Sequence, residues 1–484
     1  MVCRVGMRRL VTLSQGVRWD YYVDPVSGSP LNSGRSPAAA KASLADISWT
    51  SGLRVAMLRG ATALAAIDRT AITLTVPVRI GAVGAGYSPV IAKSVRHTSG
   101  WSNVSGTIYG KSIGYTAINA FWLVGDTVTK LTLGTYGSIT SGQFAVSGST
   151  VQINIGVDPA AQIIEIPASG ATDNIVIGTG ANGTIIEDIS SWFASQNGVE
   201  ISSVDDAVVR RLDIRYNGND GIGVHGDSTP ALRAVIDRCT IKRNGQIRTT
   251  SGGAGDGVSF HSVCTGQILY CDIQDNEKSG ISNQHRTSVD TVGCYLRNNN
   301  QEIFVISEVS SAAGGTHKFA SNVIVVPGSS NAGSSALQVC NADATQPPTV
   351  TIANNTIYGE SIVANRSGVR IVDGVVTARN NIISGFARGY DWRSTDAASS
   401  SLSNNYDCVY GNTSNYFNNG TPGVSAGAND ITTDPKFVNA GSLDFRLQSD
   451  SPCRGTGVAV AGVTDDRLGS AFAAPPSRGA YEYA

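Results

Sequence analysis

The stretch "GDGVSFHS", residues 255–262, is one of three copies of a short pattern. The stretch "NDGIGVHG" (219–226) precedes it, and "KSGISNQH" (278–285) follows it. In each copy a polar residue and a glycine lead into a β-type run that ends in histidine or serine. Units that cannot each bury an apolar face must stack on their neighbours, so the repetition predicts a solenoid.

The repetition extends from about residue 175 to about residue 400, in irregular units of roughly 20 to 35 residues. Each unit contains short runs in which Val, Ile, Leu or Cys alternate with polar residues. No helical pattern separates the runs, which favours a parallel β-helix over leucine-rich or helical solenoids and leaves a β-sandwich as the alternative. Asparagines end the units, and stacked amides there would hydrogen-bond from coil to coil: Asn217, Asn244, Asn276, Asn298, Asn354 and Asn380.

Composition narrows the choice of partners. The 484 residues include 55 Gly, 15% charged residues and a formal net charge of −1, so no basic field exists to hold nucleic acid or an anionic membrane. No apolar run reaches the roughly 20 residues that span a bilayer. The first residues, "MVCRVGMRRLVTLSQG", lack the apolar core and cleavage site of a signal peptide. The 8 cysteines have no zinc-finger spacing, and we expect free, buried thiols.

Two flanking segments make a resemblance specific. The stretch "YYVDPVSGSPLNSGRSPAAAKASLADI" (21–47) and the closing stretches "DPKFVNAGSLDFRLQSDSPCRGTG" (434–457) and "RGAYEY" (478–483) resemble those of the right-handed parallel β-helix, or pectate-lyase-like, superfamily. The resemblance implies an all-β solenoid. It also implies one of the activities found there, which include polysaccharide lyases, glycosidases, uronate epimerases and phage tailspike depolymerases.

The predicted organisation has four parts. Residues 1–60 form the N-terminal segment and cap, 61–168 an inserted β-domain with early coils, 169–420 the β-helix with the active-site strip, and 421–484 the closing segment. The inserted part has longer alternating strands and hairpin-like turns. It either covers the open end of the solenoid or binds glycan.

Candidate catalytic carboxylates follow from aligning the glycines of the three copies. Asp220 and Asp256 then share a column, about 4.8 Å apart on adjacent coils. Two carboxylates so close raise the pKa of one of them, which suits the retaining glycosidase pair; Glu277, roughly 8 Å from Asp256, would suit an inverting pair. The alternative role of an aspartate before glycine is to close a turn.

Histidines offer a second chemistry, because three of the 5 histidines fall on the same strip: His225, His261 and His285. With Lys278 and Arg286 they could remove a proton beside a uronate carboxylate, as lyases and epimerases do. The stretch "DGVSFH" is similar to the DGxDPH stretch of mannuronan epimerases, but Ser259 stands where those enzymes have an aspartate. Further candidates for substrate binding are Gln284, Tyr270 and Trp392.

The resemblance and the strip together predict an enzyme that degrades a bacterial surface glycan, capsule or O-antigen. A phage tailspike depolymerase acting as a hydrolase is the first expectation, on the virion or outside the cell, as a homotrimer, with no cofactor and no metal. A polysaccharide lyase or uronate epimerase is the enzymatic alternative. A non-catalytic glycan-binding adhesin is the alternative of another class.

Overall fold

The computed structural model describes residues 17–62, 66–117, 119–124, 127–167, 172–245, 255–307, 314–328, 335–341, 347–394, 399–421 and 423–483. These residues contain β-strands and short 3-10 turns, at Pro37–Ala39, Leu44–Asp46, Pro159–Ala161 and Ala440–Ser442. No helix among the described residues is long and apolar enough to cross a membrane.

The strands fall into four consecutive groups. The first coils contain β1 (Tyr21–Val23), β2 (Arg54–Leu58), β3 (Ile67–Asp68), β4 (Ile72–Leu74), β5 (Arg79–Val83) and β6 (Val90–Ile91). An inserted domain contains β7 (Ser94–His97), β8 (Ser102–Ser105), β9 (Ile108–Ser112), β10 (Phe121–Val124), β11 (Thr127–Lys130), β12 (Thr132–Leu133), β13 (Gln143–Ser147), β14 (Thr150–Asn154) and β15 (Ile163–Pro167). The solenoid resumes with β16 (Ile175–Ile177), β17 (Ile185–Glu187), β18 (Ser190–Trp192), β19 (Val199–Ser202), β20 (Val208–Arg210), β21 (Asp213–Arg215), β22 (Ile222–Asp237), β23 (Thr240–Lys242), β24 (Val258–Leu269), β25 (Asp272–Gln274), β26 (Ser279–Gln284), β27 (Ser288–Val292), β28 (Tyr295–Arg297), β29 (Gln301–Ser307), β30 (Thr316–Ala320), β31 (Val323–Val326), β32 (Ser335–Asn341), β33 (Thr349–Ala353), β34 (Thr356–Gly359), β35 (Ser367–Ile371), β36 (Val375–Arg379), β37 (Ile382–Ser384), β38 (Arg388–Trp392), β39 (Ser401–Asn405), β40 (Cys408–Tyr410) and β41 (Ser414–Asn418). The closing hairpin is β42 (Phe437–Asn439) and β43 (Asp444–Leu447).

The coils stack as three parallel sheets, which confirms the predicted right-handed parallel β-helix. Sheet 1 contains β4, β16, β19, β26, β29, β32, β35, β38 and β41; sheet 2 contains β1, β2, β5, β17, β20, β27, β30, β33, β36 and β39. The bent strands β22 and β24 cross from sheet 1 into sheet 2. Sheet 3 contains β3, β6, β18, β21, β23, β25, β28, β31, β34, β37 and β40.

The interior consists of aliphatic columns in register. In sheet 1, Ile222 pairs with Val258, Val258 with Ile281, and Ile281 with Ile303, and all four side chains are fully buried. Each such side chain stabilises the fold by about 1.5–3 kcal/mol relative to an exposed one. Side chains alternate along a strand, so the residue that follows each of these buried residues points outward. The candidate site lies on this outer face.

An asparagine ladder runs inside the turn between sheets 3 and 1. The backbone N–H and the side-chain amide of Asn217 both donate to Asn244 Oδ1, at 3.2 and 2.9 Å. The same pair of bonds links Asn244 to Asn276, and Asn276 to Asn299. Gly257 lies against the ladder, and a Cβ there would stand 2.9 Å from Asn276 Nδ2. The glycine of the repeated pattern therefore makes room for the buried amides.

The ladder corrects three of the asparagine positions predicted from the sequence. Asn298 has a left-handed φ of 60° and lies outside the ladder, one residue before its member Asn299. Asn354 and Asn380 are likewise one residue early, because a second ladder uses the residues after them: Asn322, Asn355, Asn381 and Asp407. The Sγ atoms of Cys271 and Cys294 accept backbone N–H groups at the start of that second column. The described cysteines are free and buried, as predicted.

A carboxylate ends the first ladder. Glu302 stands at the position that Gly280 occupies one coil earlier, and its side chain accepts both the backbone N–H and the amide of Asn299. Burial raises the pKa of Glu302 to about 8. In the second ladder Asp407 accepts both donors of Asn381, and its own backbone N–H donates to Asp430 Oδ1 at 2.8 Å.

The inserted domain packs against the solenoid through aromatic rings. Its two small, mostly antiparallel sheets have an apolar core of their own, which includes Phe144 and Ile153. Phe121 of the insertion lies 4.9 Å from Phe193 and 5.3 Å from Tyr216, measured between ring centroids. The strands of the inserted domain are β7 to β15. The strands β1 and β2, which lie inside the predicted N-terminal cap, pair with each other, and β2 also pairs with coil strand β5.

We expect Asn244→Ala to lower the free energy of unfolding by about 2–4 kcal/mol, because both donors of Asn217 would lose their buried acceptor. The matched control is Asn298→Gly, which keeps the left-handed backbone and leaves the ladder intact; its change should stay below about 1 kcal/mol. Denaturant or thermal unfolding of the two variants checks this. Equal losses would contradict the assignment of the ladder.

Candidate active site

A row of histidines lies on the outer face of sheet 1. His225 of β22 pairs in register with His261 of β24, and their rings lie 5.1 Å apart. His285, in a left-handed turn at the end of β26, has its ring 6.2 Å from that of His261. All three side chains are half-buried, so the row reaches solvent. The structure thus brings together the three histidines that the sequence placed on one strip.

The two aspartates lie at the turn that leads into sheet 1, where they belong to a third ladder, distinct from the two asparagine ladders. Asp220 Oδ1 accepts the backbone N–H of Asp256, and Asp256 Oδ1 accepts that of Ser279. The same bond links Asn197 to Asp173 and Asp220 to Asn197 on the preceding coils. The aspartates therefore have a structural role in the turns, but they link neighbouring coils, whereas the alternative interpretation had each of them close its own turn. This role uses only one oxygen of each carboxylate.

The other carboxylate oxygens, Oδ2 of Asp220 and Oδ2 of Asp256, face side chains and not the backbone of the turns. Asp220 Oδ2 accepts the hydroxyl of Ser259, whose place on the outer face of β24 keeps it beside the carboxylate. Asp256 Oδ2 lies 3.6 Å from the ammonium of Lys278. One donor atom each of Asp220, Asp256 and His261 lie within 4.8 Å of one another. Two carboxylates and an imidazole in this arrangement could also hold a divalent metal ion.

The electrostatics of the pair favour one shared proton. Burial, and after it the neighbouring charge of Asp256, raise the pKa of Asp220 to about 7. Burial also raises the pKa of Asp256, but the Lys278 ammonium opposes this shift. The Lys278 ammonium therefore favours the placement of the shared proton on Asp220 and of the negative charge on Asp256.

Glu200 is a site residue that the sequence analysis missed. Its Oε1 lies 2.6 Å from His225 Nδ1, and its Oε2 accepts the amide of Asn197 at 2.8 Å. Glu200 pairs in register with Gly223, one coil before the first copy of the repeated pattern. The segment "NGVEISS" (197–203) has neither the aspartate nor the histidine of that pattern, so only its outward position in the alternation could have identified it.

The binding candidates near the strip differ in their placement. Gln284 lies on the outer face of β26 and donates to Ser282 Oγ at 2.8 Å. Arg286 follows His285 and is exposed. Lys278 is partly exposed beside Asp256. These three residues lie next to the histidines or the aspartates in the chain or in the fold, and their binding of substrate stays a prediction.

The other three candidates have different surroundings. Glu277 forms an ion pair of 2.9 Å with Lys130 of the inserted domain, and its pairing with Asp256 stays a prediction. The prediction that Trp392 binds sugar was wrong, because Trp392 pairs with Ile371 in an inward column and is only 1% exposed. Tyr270 lies beyond the far end of sheet 2, where the guanidinium of Arg238 covers its ring at 5.0 Å. It cannot stack on a sugar at the strip.

Comparisons with known proteins agree with the fold. Residues 173–344 match the family model of the right handed beta helix region. Similar solved structures are pectate lyase Pel9A (13% identity, 97% of this chain and 98% of that chain, TM-score 0.55), XylC in complex with xylose (11%, 96% and 98%, 0.58) and a glycoside hydrolase (10%, 84% and 98%, 0.51). No curated protein matches the chain. At these identities the likeness shows the fold, and the resemblance to β-helix proteins is confirmed.

We expect Asp220→Asn to stabilise the protein at neutral pH, on the order of 2 kcal/mol. Folding raises the pKa of Asp220 from 3.8 to about 7, so the wild type takes up a proton on folding and loses stability as the pH rises across that window. The variant lacks this loss, and its advantage should shrink as the pH falls towards about 4. Thermal unfolding at several pH values measures it. The control is Asp290→Asn, which removes a half-buried carboxylate on the outer face of sheet 2; an equal, pH-independent effect of both changes would contradict the burial of charge at Asp220.

Proposed function

We propose that this right-handed parallel β-helix protein is an enzyme that cleaves a polysaccharide along the outer face of sheet 1. The observation that carries the proposal is the convergence of Asp220, Asp256 and His261 within 4.8 Å at the edge of that face. The bonds between turns use one oxygen of each carboxylate, and placing two buried carboxylates side by side raises the cost of ionising either of them, which is the kind of arrangement that protonation chemistry uses.

Hydrolysis is the reaction that this pair supports best. Asp220, protonated near neutral pH, gives its proton to the glycosidic oxygen as the bond to the anomeric carbon breaks. Asp256, kept ionised by Lys278, attacks that carbon and forms a glycosyl ester. Water then gives a proton to Asp220 and displaces Asp256, which restores both groups. The short distance between the carboxylates suits this retaining mechanism. Glu200 would orient the His225 ring so that its other nitrogen can donate to the sugar.

Elimination is the second candidate, and a difference in burial favours it. Asp220 and Asp256 are only 6% and 2% exposed, whereas His225 and His261 are half-buried and reach solvent. On a uronate chain, His261 would remove the proton beside the carboxyl group, the electron pair would form a double bond as the bond to the glycosidic oxygen breaks, and the protonated His261 would give its proton to that leaving oxygen. Lys278 would offset the charge of the carboxyl group.

The experiment incubates the wild type, Asp256→Asn and His261→Ala with a panel of bacterial surface polysaccharides. Chain length and the ultraviolet absorbance of unsaturated product are followed together. We expect shortening without absorbance that falls at least about 100-fold in Asp256→Asn, because the nucleophile is lost. Absorbance that disappears in His261→Ala would instead establish elimination.

Asp290→Asn is the control for the cleavage assay, since it removes a surface carboxylate outside sheet 1. The adhesin alternative predicts that the wild type binds a glycan without shortening it. Binding without shortening on every glycan of the panel would contradict the proposed enzyme.

We propose a phage tailspike depolymerase as the biological setting, with capsule or O-antigen as the substrate and a virion or extracellular location. Its support is the combination of an extended glycan-binding face with a nearly neutral net charge. A tailspike would be a homotrimer, so we expect sedimentation of the purified protein at three times the 50.3 kDa chain mass. A monomer that cleaves polysaccharide would contradict the tailspike setting and leave the proposed enzyme intact.

A further inference from the structure

The outer face of sheet 1 continues beyond the candidate site as a half-buried track. In register with Ser259, the outward positions on the following coils are Ser282, Phe304, Gln338 and Arg370. Phe304 and Gln338 are half-buried, so an aromatic ring and an amide reach the surface between the two ends. Aromatic rings and amides are side chains that bind the faces and hydroxyls of sugars.

Three arginines gather at the far end of this track around one carboxylate. Asp391 is fully buried, and Arg393 binds it through two nitrogens, at 2.7 and 3.1 Å. Arg370 and Arg388 bind the same carboxylate at 3.1 and 3.4 Å. The ring of Phe417 lies 4.0 Å from the guanidinium carbon of Arg388. The four charged groups have an excess of two positive charges.

The arginines are held in place and still reach solvent. Their side chains are 16% (Arg370), 16% (Arg388) and 29% (Arg393) exposed. Asp373, an acid on the neighbouring turn, accepts the hydroxyls of Ser394 and Ser400. A cluster of fixed guanidinium groups at a partly dry surface is the arrangement that binds carboxylate groups well.

We propose that Arg370, Arg388 and Arg393 form a distal subsite that binds the carboxylate of an acidic sugar in the same polysaccharide chain. The inference rests on the proposed function, because the chain must lie along sheet 1 to reach both ends. Ser259 and Arg370 are separated by four coil steps, or about 19 Å. A glycan that contacts both the reacting strip and this subsite must therefore be several sugar units long, which makes the enzyme selective for long, anionic chains.

The experiment measures the binding of intact glycan by affinity electrophoresis, in an Asp256→Asn background that prevents cleavage. The probes are polygalacturonate and alginate as acidic chains and dextran as a neutral one. We expect the acidic chains to bind more tightly than dextran, and Arg393→Gln to weaken their binding about tenfold at low salt, because a charged hydrogen-bonding partner is lost. The difference should decrease as salt screens the charges.

The matched control is Arg297→Gln, which removes a guanidinium that is similarly exposed (32%) and paired with Glu360 on the outer face of sheet 3. Arg393→Lys should keep part of the binding, since it keeps the charge. Asp391→Asn should strengthen the binding of acidic chains several-fold, because it removes the negative charge of the cluster. Thermal unfolding verifies that each variant is folded.

Equal binding by the Arg393→Gln and Arg297→Gln variants, equal binding of dextran and the acidic chains, or no binding of any probe would overturn the subsite. Cleavage by the wild type that depends on the strip residues would in each case leave the proposed function standing. The two proposals can therefore fail separately.

Discussion

The backbone hydrogen bonds between neighbouring coils are the constraint on which the whole molecule depends. They hold residues far apart in sequence at about 4.8 Å from one another, so any side chain repeated at the same point of the coil becomes part of a column. Asp220 and Asp256 are neighbours for this reason, although 35 residues separate them in the chain. The candidate site is thus formed by the scaffold itself, since His225 and His261 lie on paired strands and the aspartates lie in the turns that lead into those strands.

The same constraint makes structure and chemistry share their atoms. Asp220 and Asp256 each give one carboxylate oxygen to the turn of the next coil and keep the second oxygen for a neighbouring side chain. The backbone bonds favour the charged form, while burial and the nearby carboxylate favour the neutral form. At Asp220 burial is the larger effect. A residue with a structural role in a turn can therefore also hold a proton near neutral pH. The structural and the catalytic interpretation of the sequence pattern are compatible.

The sequence predicted those features that depend on periodicity, since a repeated glycine and histidine reveal the coils and the outer strip. The prediction failed where a shift of one residue decides whether a side chain points into the core or outward. A left-handed residue moves the ladder from Asn298 to Asn299, and alternation turns Trp392 into the core. Glu200 was missed because its coil lacks the repeated motif, and the ion pair of Glu277 with Lys130 was not predicted because Lys130 belongs to the inserted domain. Contacts between separate domains have no local pattern in sequence.

The asparagine ladder also has a direction. Each amide receives hydrogen bonds from the coil before it and donates to the coil after it, so the column is a chain of dipoles that all point the same way. Such a chain needs a last member that accepts without donating, and Glu302 fills that place with a carboxylate where Gly280 left space. The first ladder thus has a defined end within the solenoid. Duplicating a coil between Asn217 and Asn299 would lengthen the ladder without breaking its polarity, whereas the column of Asn322, Asn355, Asn381 and Asp407 lies in another turn, between sheets 2 and 3, and runs independently of it.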